Sequence, residues 1–293
     1  MTNQDSENSI ITIVGPTACG KSQVAMALAT EFDAEIICAD SRTIYKGMDI
    51  GTAKPSDRDR EKVRHHLLGI VEPGQNYTVA QFVVDASAAI TDIQARNKRV
   101  IIVGGSGMYV DALLYDYQFR NSTGVEQAYV ETLSETELIE LAQKLYPQAS
   151  SNYVLQNRRR VEQLLMRGPA NSADRITQKL CTTIVGIVLN KDDLQINISN
   201  RTNSMLNNGF VQEVDKLVKK YGHLALFDET IGYKQVLGFL EGGVSESDLA
   251  PSINIATRQY AKRQLTWFKR NKAIIWVDSP DKAIQYLVQN LKN

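Results

Sequence analysis

The sequence predicts an α/β fold, in which a mostly parallel sheet is flanked by helices and interrupted by a small helical insertion domain. Two observations support this class. Short β-branched runs alternate with helical patterns in the N-terminal part of the chain, as they do in parallel sheets. The first of these runs leads directly into a glycine-rich loop and a helix, which is the arrangement of P-loop NTPase-like proteins.

The glycine-rich loop lies between two well-defined elements. Ile10–Val14 is an apolar run that predicts a buried strand, and Ser22–Phe32 carries apolar residues at helical spacing. The pattern G-x-x-x-x-G-K-[ST] between them is formed by Gly15, Pro16, Thr17, Ala18, Cys19, Gly20, Lys21 and Ser22. Such a loop holds a polyphosphate with its backbone N–H groups, its lysine and a hydroxyl that contacts Mg²⁺. We therefore expect a phosphorylated ligand.

The alternation of strands and helices continues toward residue 114. It predicts two strands and two helices: Glu35–Ala39, Val79–Asn97, Arg99–Val103 and Met108–Leu114, of which the first and third are the strands. Ligands of parallel sheets bind beyond the carboxyl ends of the strands. Asp40 and residues 104–107 follow two such ends, so we expect both to lie beside the P-loop.

A different pattern extends from about residue 117 to residue 177. Ser134–Leu145 is amphipathic and begins with the capping-box pair Ser134 and Glu137, and Tyr153–Met166 predicts a second helix. We interpret residues 117–177 as the helical insertion domain. The core domain then comprises residues 10–116 and 178–293, and the polar residues 1–9 form a flexible tail.

Strands and helices again alternate after the insertion. The predicted strands are Thr182–Leu189 and Ala273–Val277, and the predicted helices are Leu194–Asn208, Phe210–Tyr221, Pro251–Arg270 and Asp281–Leu291. No acidic residue occurs between Leu249 and Val277, although Lys and Arg are frequent there. A second basic cluster is Arg158–Arg160. Each cluster is consistent with a solvated helix face or with a phosphate-rich partner.

Composition limits the classes of protein that need to be considered. The 293 residues include 33 basic and 33 acidic side chains, so the net charge does not by itself indicate a nucleic-acid partner. No apolar stretch approaches the ~20 residues that span a bilayer. The three cysteines form neither a metal-binding pattern nor a disulfide framework. We expect a cytoplasmic protein without a membrane segment.

Three aspartates could assist the P-loop in binding a metal ion or in moving a proton. Asp40 and Asp278 each end an apolar strand, and Asp49 lies in a glycine turn. Asp40 is the best placed, because it ends the strand that follows the P-loop helix. It could act as a general base or contact a metal ligand, or it could only cap the turn with Ser41.

Several motifs together resemble those of the tRNA dimethylallyltransferases. Besides the P-loop, they are Asp40–Pro55 (DSRTIYKGMDIGTAKP), His65–Leu68 (HHLL), Val103–Tyr109 (VGGSGMY), Ile231–Lys234 (IGYK) and Thr257–Phe268 (TRQYAKRQLTWF). The resemblance extends from about Ile10 to Trp276. The Asp40–Pro55 motif is long and highly specific, unlike the P-loop alone.

The resemblance implies an enzyme that transfers a dimethylallyl group from dimethylallyl diphosphate to tRNA. The acceptor would be N6 of the adenosine on the 3′ side of the anticodon, in tRNAs that read codons beginning with U. Gly15–Ser22 would hold the diphosphate of the donor and not a nucleotide. Lys21, Arg201 and an Mg²⁺ on Ser22 would stabilise the leaving diphosphate, and Asp40 would act as general base.

The resemblance also implies contacts with tRNA. The target base would lie against the segment Asp40, Ser41, Arg42 and Thr43, with Ser106 at the tRNA-facing end of the channel. The tRNA phosphates would be bound by Arg158, Arg159, Arg160, Arg258, Lys262 and Arg263. Tyr260, Trp267 and Phe268 would be available for stacking on bases. The chain supplies both the donor site and the acceptor site, so we expect a monomer.

Some residues depart from the family pattern. Cys19 replaces a usual serine, which predicts an oxidation-sensitive P-loop. Gln163 and Asn197 replace arginines and the insertion is short, which affects how tightly and selectively tRNA would bind. Three alternatives remain: a dimethylallyltransferase acting on free adenine nucleotides, a P-loop kinase of a small metabolite, and a nucleic-acid-binding module without catalysis.

Overall fold

The computed structural model describes residues 10–115, 125–168 and 178–291. Contacts divide the chain into two compact units, Met1–Tyr115 with Gln178–Asn293 and Asp116–Thr177. The tail predicted for residues 1–9 lies outside the described residues. Among the helices of the described ranges, none is long and apolar enough to cross a membrane.

The first unit begins with the elements around the P-loop. They are β1 (Ile10–Val14), α1 (Lys21–Glu31), β2 (Ala34–Cys38), α2 (Asp57–Lys62), β3 (His65–His66), α3 (Val79–Ala95), β4 (Arg99–Gly104) and α4 (Gly107–Leu114). The predicted elements of this region are confirmed, apart from their end residues. Helix α2 and strand β3 were not predicted, because both are too short to show a period in the sequence.

The second unit contains four helices in its described part: α5 (Gln127–Thr132), α6 (Glu135–Leu145), α7 (Asn152–Leu155) and α8 (Arg158–Arg167). The predicted capping box at the start of α6 is present. The single helix predicted over Tyr153–Met166 is wrong. Asn157 leaves the helical conformation there, and its side chain caps α8 by accepting a hydrogen bond from Arg160 N at 3.2 Å.

The first unit continues after residue 177 with eight further elements. They are β5 (Thr182–Ile187), α9 (Lys191–Asn207), α10 (Phe210–Tyr221), α11 (Ala225–Glu229), α12 (Tyr233–Leu240), α13 (Glu246–Phe268), β6 (Ile275–Val277) and α14 (Pro280–Leu291). The start predicted for α13 at Pro251 is wrong. Ser245 caps the helix earlier by accepting a hydrogen bond from Asp248 N at 3.2 Å, and the burial of Leu249 and Ile253 outweighs the proline.

The six strands form one sheet in the order β3-β2-β4-β1-β5-β6, and every neighbouring pair is parallel. Alternate residues of the strands face two separate buried clusters. One cluster packs α3 and α4 against the sheet, and the other packs α1 and α14. The predicted α/β fold is therefore confirmed.

The carboxyl ends of the central strands lie at one edge of this sheet. Val14 of β1 pairs with Gly104 of β4, and Cys38 of β2 pairs with Val103. The P-loop, Asp40 and residues 105–107 follow directly. The register of three parallel strands thus brings together segments that are far apart in the sequence.

Glu35 is a buried carboxylate in β2, with its side chain only 5% exposed. It receives both ends of the Arg96 guanidinium, with 2.9 Å from Nη2 to Oε2, and His66 Nε2 lies 2.7 Å from the same Oε2. The bond with Arg96, assisted by His66, lowers the pKa of Glu35 from 4.5 to about 2.

This lowered pKa predicts a pH-dependent contribution to stability. A carboxylate of this kind stabilises the fold above pH 4.5 and loses that contribution as the pH falls through about 2. We expect Glu35→Gln to lower the free energy of unfolding by about 2 kcal/mol at neutral pH. The difference between variant and wild type, measured by urea unfolding, should shrink between pH 4.5 and pH 2. A difference that stays constant over this range would contradict the assignment.

Candidate active site

A cavity of about 310 Å³ lies at the carboxyl edge of the sheet. Eight of the residues expected at the site line it: Thr17, Ala18, Gly20, Lys21, Ser22, Asp40, Thr43 and Arg201. Nine other expected residues of this unit are not part of the lining: Gly15, Pro16, Cys19, Ser41, Arg42, Ser106, Arg258, Lys262 and Arg263. The cavity therefore joins the P-loop, the end of β2 and helix α9.

Two glycines give the P-loop its shape. Gly15 has a φ of +146°, and a Cβ there would lie 2.6 Å from Ile187 O. Gly20 has a φ of +95° and is the N-cap of α1, whose first N–H groups lack partners within the helix. Lys21 Nζ donates to Pro16 O at 2.6 Å, which holds this cation across the loop. The loop and the helix start together present N–H groups and a lysine, which is the chemistry that anions bind.

Asp40 both caps a turn and faces the cavity. Its Oδ1 accepts hydrogen bonds from Arg42 N at 2.8 Å and Thr43 N at 3.3 Å. This is the turn-capping role that the sequence left open, and the bonds fix the orientation of the carboxylate. In the described part of the chain, Oδ2 accepts no hydrogen bond, which leaves an oxygen for a ligand.

Arg201 lies at the site, although the sequence around it does not by itself indicate a site residue. Alone it resembles a surface residue of α9, yet it is half-buried and lines the cavity. Burial lowers the pKa of Arg201, while the negative charge of Asp40 acts in the opposite direction. A half-buried cation thus lies within electrostatic range of the carboxylate that follows β2.

Ser106 and Tyr260 are two further residues near Asp40. Ser41 N donates to Ser106 Oγ at 3.0 Å, which ties the end of β2 to the β4–α4 loop. The Tyr260 hydroxyl lies against the side chains of Ser106 and Gln264, and the ring lines the cavity. Burial raises the pKa of Tyr260 to about 12, with a further contribution from Asp40, so the phenol stays protonated.

Thr43 carries an orphaned polar atom. The residue is 8% exposed, and its Oγ1 is buried without a hydrogen-bond partner in the described structure. Thr43 also lines the cavity. Because a buried hydroxyl without a partner is costly, its presence at a cavity wall is readily explained by a ligand that completes the bond.

Gln264 is a site residue that the sequence reasoning missed. Its Oε1 accepts from Thr17 N at 2.8 Å, and its Nε2 donates to Gly105 O at 2.8 Å. A Cβ on Gly105 would lie 2.3 Å from Gln264 Nε2, so a larger residue there would displace this amide from its hydrogen bonds. The signal in the sequence was the position of Gln264 one turn after Tyr260 in α13. Helix α13 is thereby fastened to the P-loop and to the β4–α4 loop.

The basic residues of α13 surround this attachment. Lys262 and Arg263 are exposed, Arg258 is half-buried, and the Arg263 guanidinium lies 5.7 Å from the centre of the Tyr260 ring. Arg42, also expected to meet tRNA, lies 3.5 Å from Glu229 across an exposed ion pair. These cations are accessible to a phosphate-rich partner.

The aromatic residues of α13 differ in exposure, which corrects one expectation. Phe268 is 1% exposed and belongs to the core, so it is not available to stack on a base. Trp267 Nε1 donates to Asp111 Oδ2 at 2.7 Å, and Arg270 covers the ring at 3.9 Å from its centre. Tyr260 is the aromatic side chain of this helix that faces the cavity.

In the arginine cluster of the second unit, Arg158 makes two contacts within its own unit. Arg158 Nε binds Glu162 Oε1 at 2.8 Å, and Arg158 Nη2 donates to Leu133 O at 3.0 Å. Arg158 therefore contributes to the packing of its own unit. Arg159 and Arg160 are exposed on α8.

Cys19 is buried beneath the P-loop, with its Sγ 3.9 Å from Lys21 Nζ. The oxidation sensitivity predicted for this thiol therefore requires the loop to open. Within the described ranges, no three His, Cys, Asp or Glu side chains come together as a metal site.

Comparisons with known proteins identify the family of this chain. Residues 43–271 match the family described as IPP transferase, which is more than half of the chain. This chain belongs to the IPP transferase family. The match begins at Thr43, in the loop after β2, and ends just beyond α13.

Relatives of this IPP transferase family member align along nearly its whole length. A tRNA dimethylallyltransferase from an Exiguobacterium species is 35% identical over 96% of this chain and 94% of its own. A tRNA dimethylallyltransferase 2 from Geotalea uraniireducens is 36% identical over 96% of each chain. Among solved structures, a tRNA isopentenylpyrophosphate transferase from Staphylococcus epidermidis has a TM-score of 0.74 at 30% identity, with 97% of this chain and 99% of that one covered. A eukaryotic dimethylallyltransferase solved acting on tRNA has a TM-score of 0.79 at 26% identity, with coverages of 92% and 74%.

The attachment of α13 predicts a measurable loss of stability on substitution. Gln264→Leu keeps the approximate shape but leaves Thr17 N–H and Gly105 C=O without their partner, so we expect a loss of about 1–3 kcal/mol in unfolding free energy. The matched control is Gln259→Leu, at an exposed position of the same helix, which should cost less than about 0.5 kcal/mol. Urea unfolding of both variants would test this, and equal effects would refute the attachment.

Proposed function

We propose that this protein transfers the dimethylallyl group of dimethylallyl diphosphate to N6 of the tRNA adenosine on the 3′ side of the anticodon, in tRNAs that read codons beginning with U. The product is N6-dimethylallyladenosine. One observation carries the proposal: a single cavity is lined by the P-loop residues Lys21 and Ser22, by Asp40 and by Arg201. The names of the relatives and of the solved structures point to the same reaction.

The cationic part of the cavity suits the departing diphosphate. In the reaction the bond between the allylic carbon and the diphosphate oxygen breaks, and the electron pair leaves with the diphosphate. Lys21, Arg201 and the first N–H groups of α1 would stabilise that growing negative charge. The Thr17 N–H is bound to Gln264, so this loop offers one donor fewer to the ligand.

The Ser22 hydroxyl fits a role in holding Mg²⁺. This ion retains several waters and is commonly bound by one or two protein ligands together with substrate phosphates. Ser22 lines the cavity beside Lys21, where the donor's phosphates would lie. When bound, the ion supplies further positive charge to the leaving group.

Asp40 is assigned as the general base. The exocyclic amine of adenine is a poor nucleophile, so removal of its proton must accompany formation of the N6–carbon bond. Oδ1 is held by two backbone N–H groups, which aims Oδ2 as the proton acceptor. The proton lost from N6 moves to this oxygen.

The acceptor base would lie against residues 40–43, with Ser106 and Tyr260 beside it. The base must leave its stack to enter, which costs a few kcal/mol and is cheaper in an anticodon loop. Arg258, Lys262 and Arg263 would bind tRNA phosphates, and Arg159 and Arg160 would do so from the insertion domain. Arg158 would bind phosphate while keeping its contact with Glu162. The protein would act as a monomer.

A transfer assay tests the proposal. Wild type is incubated with Mg²⁺, labelled dimethylallyl diphosphate and either an unmodified anticodon stem-loop or AMP. We expect label on the stem-loop only. Asp40→Asn preserves an Oδ1 acceptor for the turn but removes the base, so kcat should fall by about 100-fold or more while donor binding is retained. Asp278→Asn, at the other strand-ending aspartate, is the matched control and should have wild-type activity.

The outcomes of this assay separate the candidate functions. Label on AMP would show that the enzyme modifies free adenine nucleotides, and it would contradict tRNA as the acceptor. Absence of transfer to either acceptor would refute the proposal. Full activity of Asp40→Asn would refute the assignment of the base while leaving the reaction intact.

The orphaned hydroxyl of Thr43 provides a second test. Thr43→Val should leave the unfolding free energy unchanged within about 1 kcal/mol, because no protein hydrogen bond is lost. We expect kcat/KM for the stem-loop to fall by about tenfold, since a hydrogen bond to the base disappears. Thr43→Ser, which retains the hydroxyl, should stay close to wild type. A fully active Thr43→Val would exclude the contact.

A further inference from the structure

Glu213 of α10 makes four hydrogen bonds to a loop and a neighbouring helix. Its Oε2 accepts from Asp49 N at 2.9 Å and from Ile50 N at 2.6 Å. Its Oε1 accepts from Gly51 N at 3.1 Å and from the Tyr233 hydroxyl at 2.5 Å. Each oxygen therefore accepts two bonds, which uses the full acceptor capacity of a carboxylate.

The loop that Glu213 binds is locked at further points. A Cβ on Gly51 would overlap the ring of Phe210, so the backbone approaches α10 as closely as it can. Lys54, whose side chain is 5% exposed, donates through Nζ to Asp49 Oδ1 at 2.6 Å and also to Tyr45 O. Glu213 thus holds the start of the segment 49–54, and the bonds of Lys54 hold its end.

This locked segment leads directly into a wall of the cavity. Thr52, Ala53 and Pro55 line it, whereas Glu213 does not. Thr52 Oγ1 donates to Met48 O at 2.6 Å, so its side chain is turned back onto the same loop. Any effect of Glu213 on a bound ligand must therefore pass through the position of residues 52–55.

The lining of the cavity contains both polar and apolar side chains. Its charged and polar residues come from the P-loop and α13 and also include Gln23, Asp40, Thr43, Thr52, His65 and Arg201. The rest is mostly apolar and includes Ala25, Ile36, Cys38, Leu68 and Val103, together with Ala53 and Pro55. In a cavity that takes an alkyl diphosphate, the apolar part is where an alkyl chain can bury its surface.

We propose that Glu213 is a positioning residue that holds the wall formed by residues 52–55 and thereby sets the length of alkyl chain that the cavity accepts. This inference rests on the proposed function, since it concerns the donor of the same reaction. It also gives a role to two sequence segments that have none in the proposed reaction. One is residues 47–55 of the Asp40–Pro55 motif, which Glu213 and Lys54 hold, and the other is the Ile231–Lys234 motif, which contributes Tyr233.

Glu213→Gln is the sharpest test. The glutamine side chain has nearly the same size, so no volume is lost. Its NH₂ group cannot accept hydrogen bonds, so two of the four donors that bind Glu213 lose their acceptor. We expect residues 52–55 to become less firmly held as a result. We expect kcat/KM for dimethylallyl diphosphate to fall by about 10- to 100-fold. The preference for this donor over geranyl diphosphate, the ratio of the two kcat/KM values, should narrow by about tenfold. KM for the stem-loop should change little.

A comparable carboxylate away from the cavity serves as the control. Glu72 accepts from the Tyr221 hydroxyl at 2.5 Å and from Lys46 Nζ at 2.9 Å, and it does not line the cavity. Glu72→Gln should retain the wild-type ratio of donors. Tyr233→Phe removes one of the four bonds to Glu213 and should shift the ratio in the same direction by a smaller amount, which keeps the test valid if Glu213→Gln does not fold.

The results distinguish this inference from the proposed function. Transfer of label by the wild-type enzyme establishes the reaction independently of Glu213. If the wild type is active and both variants keep its donor ratio, the inference is wrong, even where overall activity falls. A narrowed ratio in Glu213→Gln and Tyr233→Phe, with no change in Glu72→Gln, supports it.

Discussion

The parallel register of three central strands is the constraint on which the rest of this structure depends. Because Val14 pairs with Gly104 and Cys38 with Val103, the chain leaves β1, β2 and β4 at a common edge. An anion-binding loop, a carboxylate and a serine-bearing loop consequently meet around one cavity. Gly104 permits this closeness, since a Cβ there would overlap Ala39. A shift in register would separate the proposed base from the proposed phosphate site.

Two helices from the C-terminal half complete the site that the strands begin. Helix α13 fastens the P-loop to the β4–α4 loop through Gln264, and it presents exposed cations beyond Tyr260. Helix α9 inserts Arg201 beside Asp40 at a cost in desolvation, which lowers the pKa of the guanidinium. Partial burial of a cation is unfavourable unless negative charge lies near it, and a bound diphosphate would add to the negative charge that Asp40 already supplies.

The loop between Asp40 and α2 connects the site to the remainder of the fold. Its Ile44 and Met48 are buried in a cluster with Phe210 and Tyr233, on helices that do not themselves line the cavity. Glu213 binds three consecutive N–H groups of this loop. The shape of the cavity wall is therefore determined by packing and hydrogen bonds several residues away from any ligand.

Local pattern determined much of this protein. The sequence by itself specified the features that depend only on neighbours in the chain. They are the apolar run Ile10–Val14, the helical period of Phe210–Tyr221, the glycine spacing of the P-loop and the capping box at Ser134. The Asp40–Pro55 motif likewise indicates the family from the sequence alone. Only tertiary structure decided that Phe268 is buried, that Arg201 enters the cavity, and that Gln264 and Glu213 brace two of its walls. These properties arise from partners as many as 247 residues apart, and such pairing leaves no period or spacing in a single sequence.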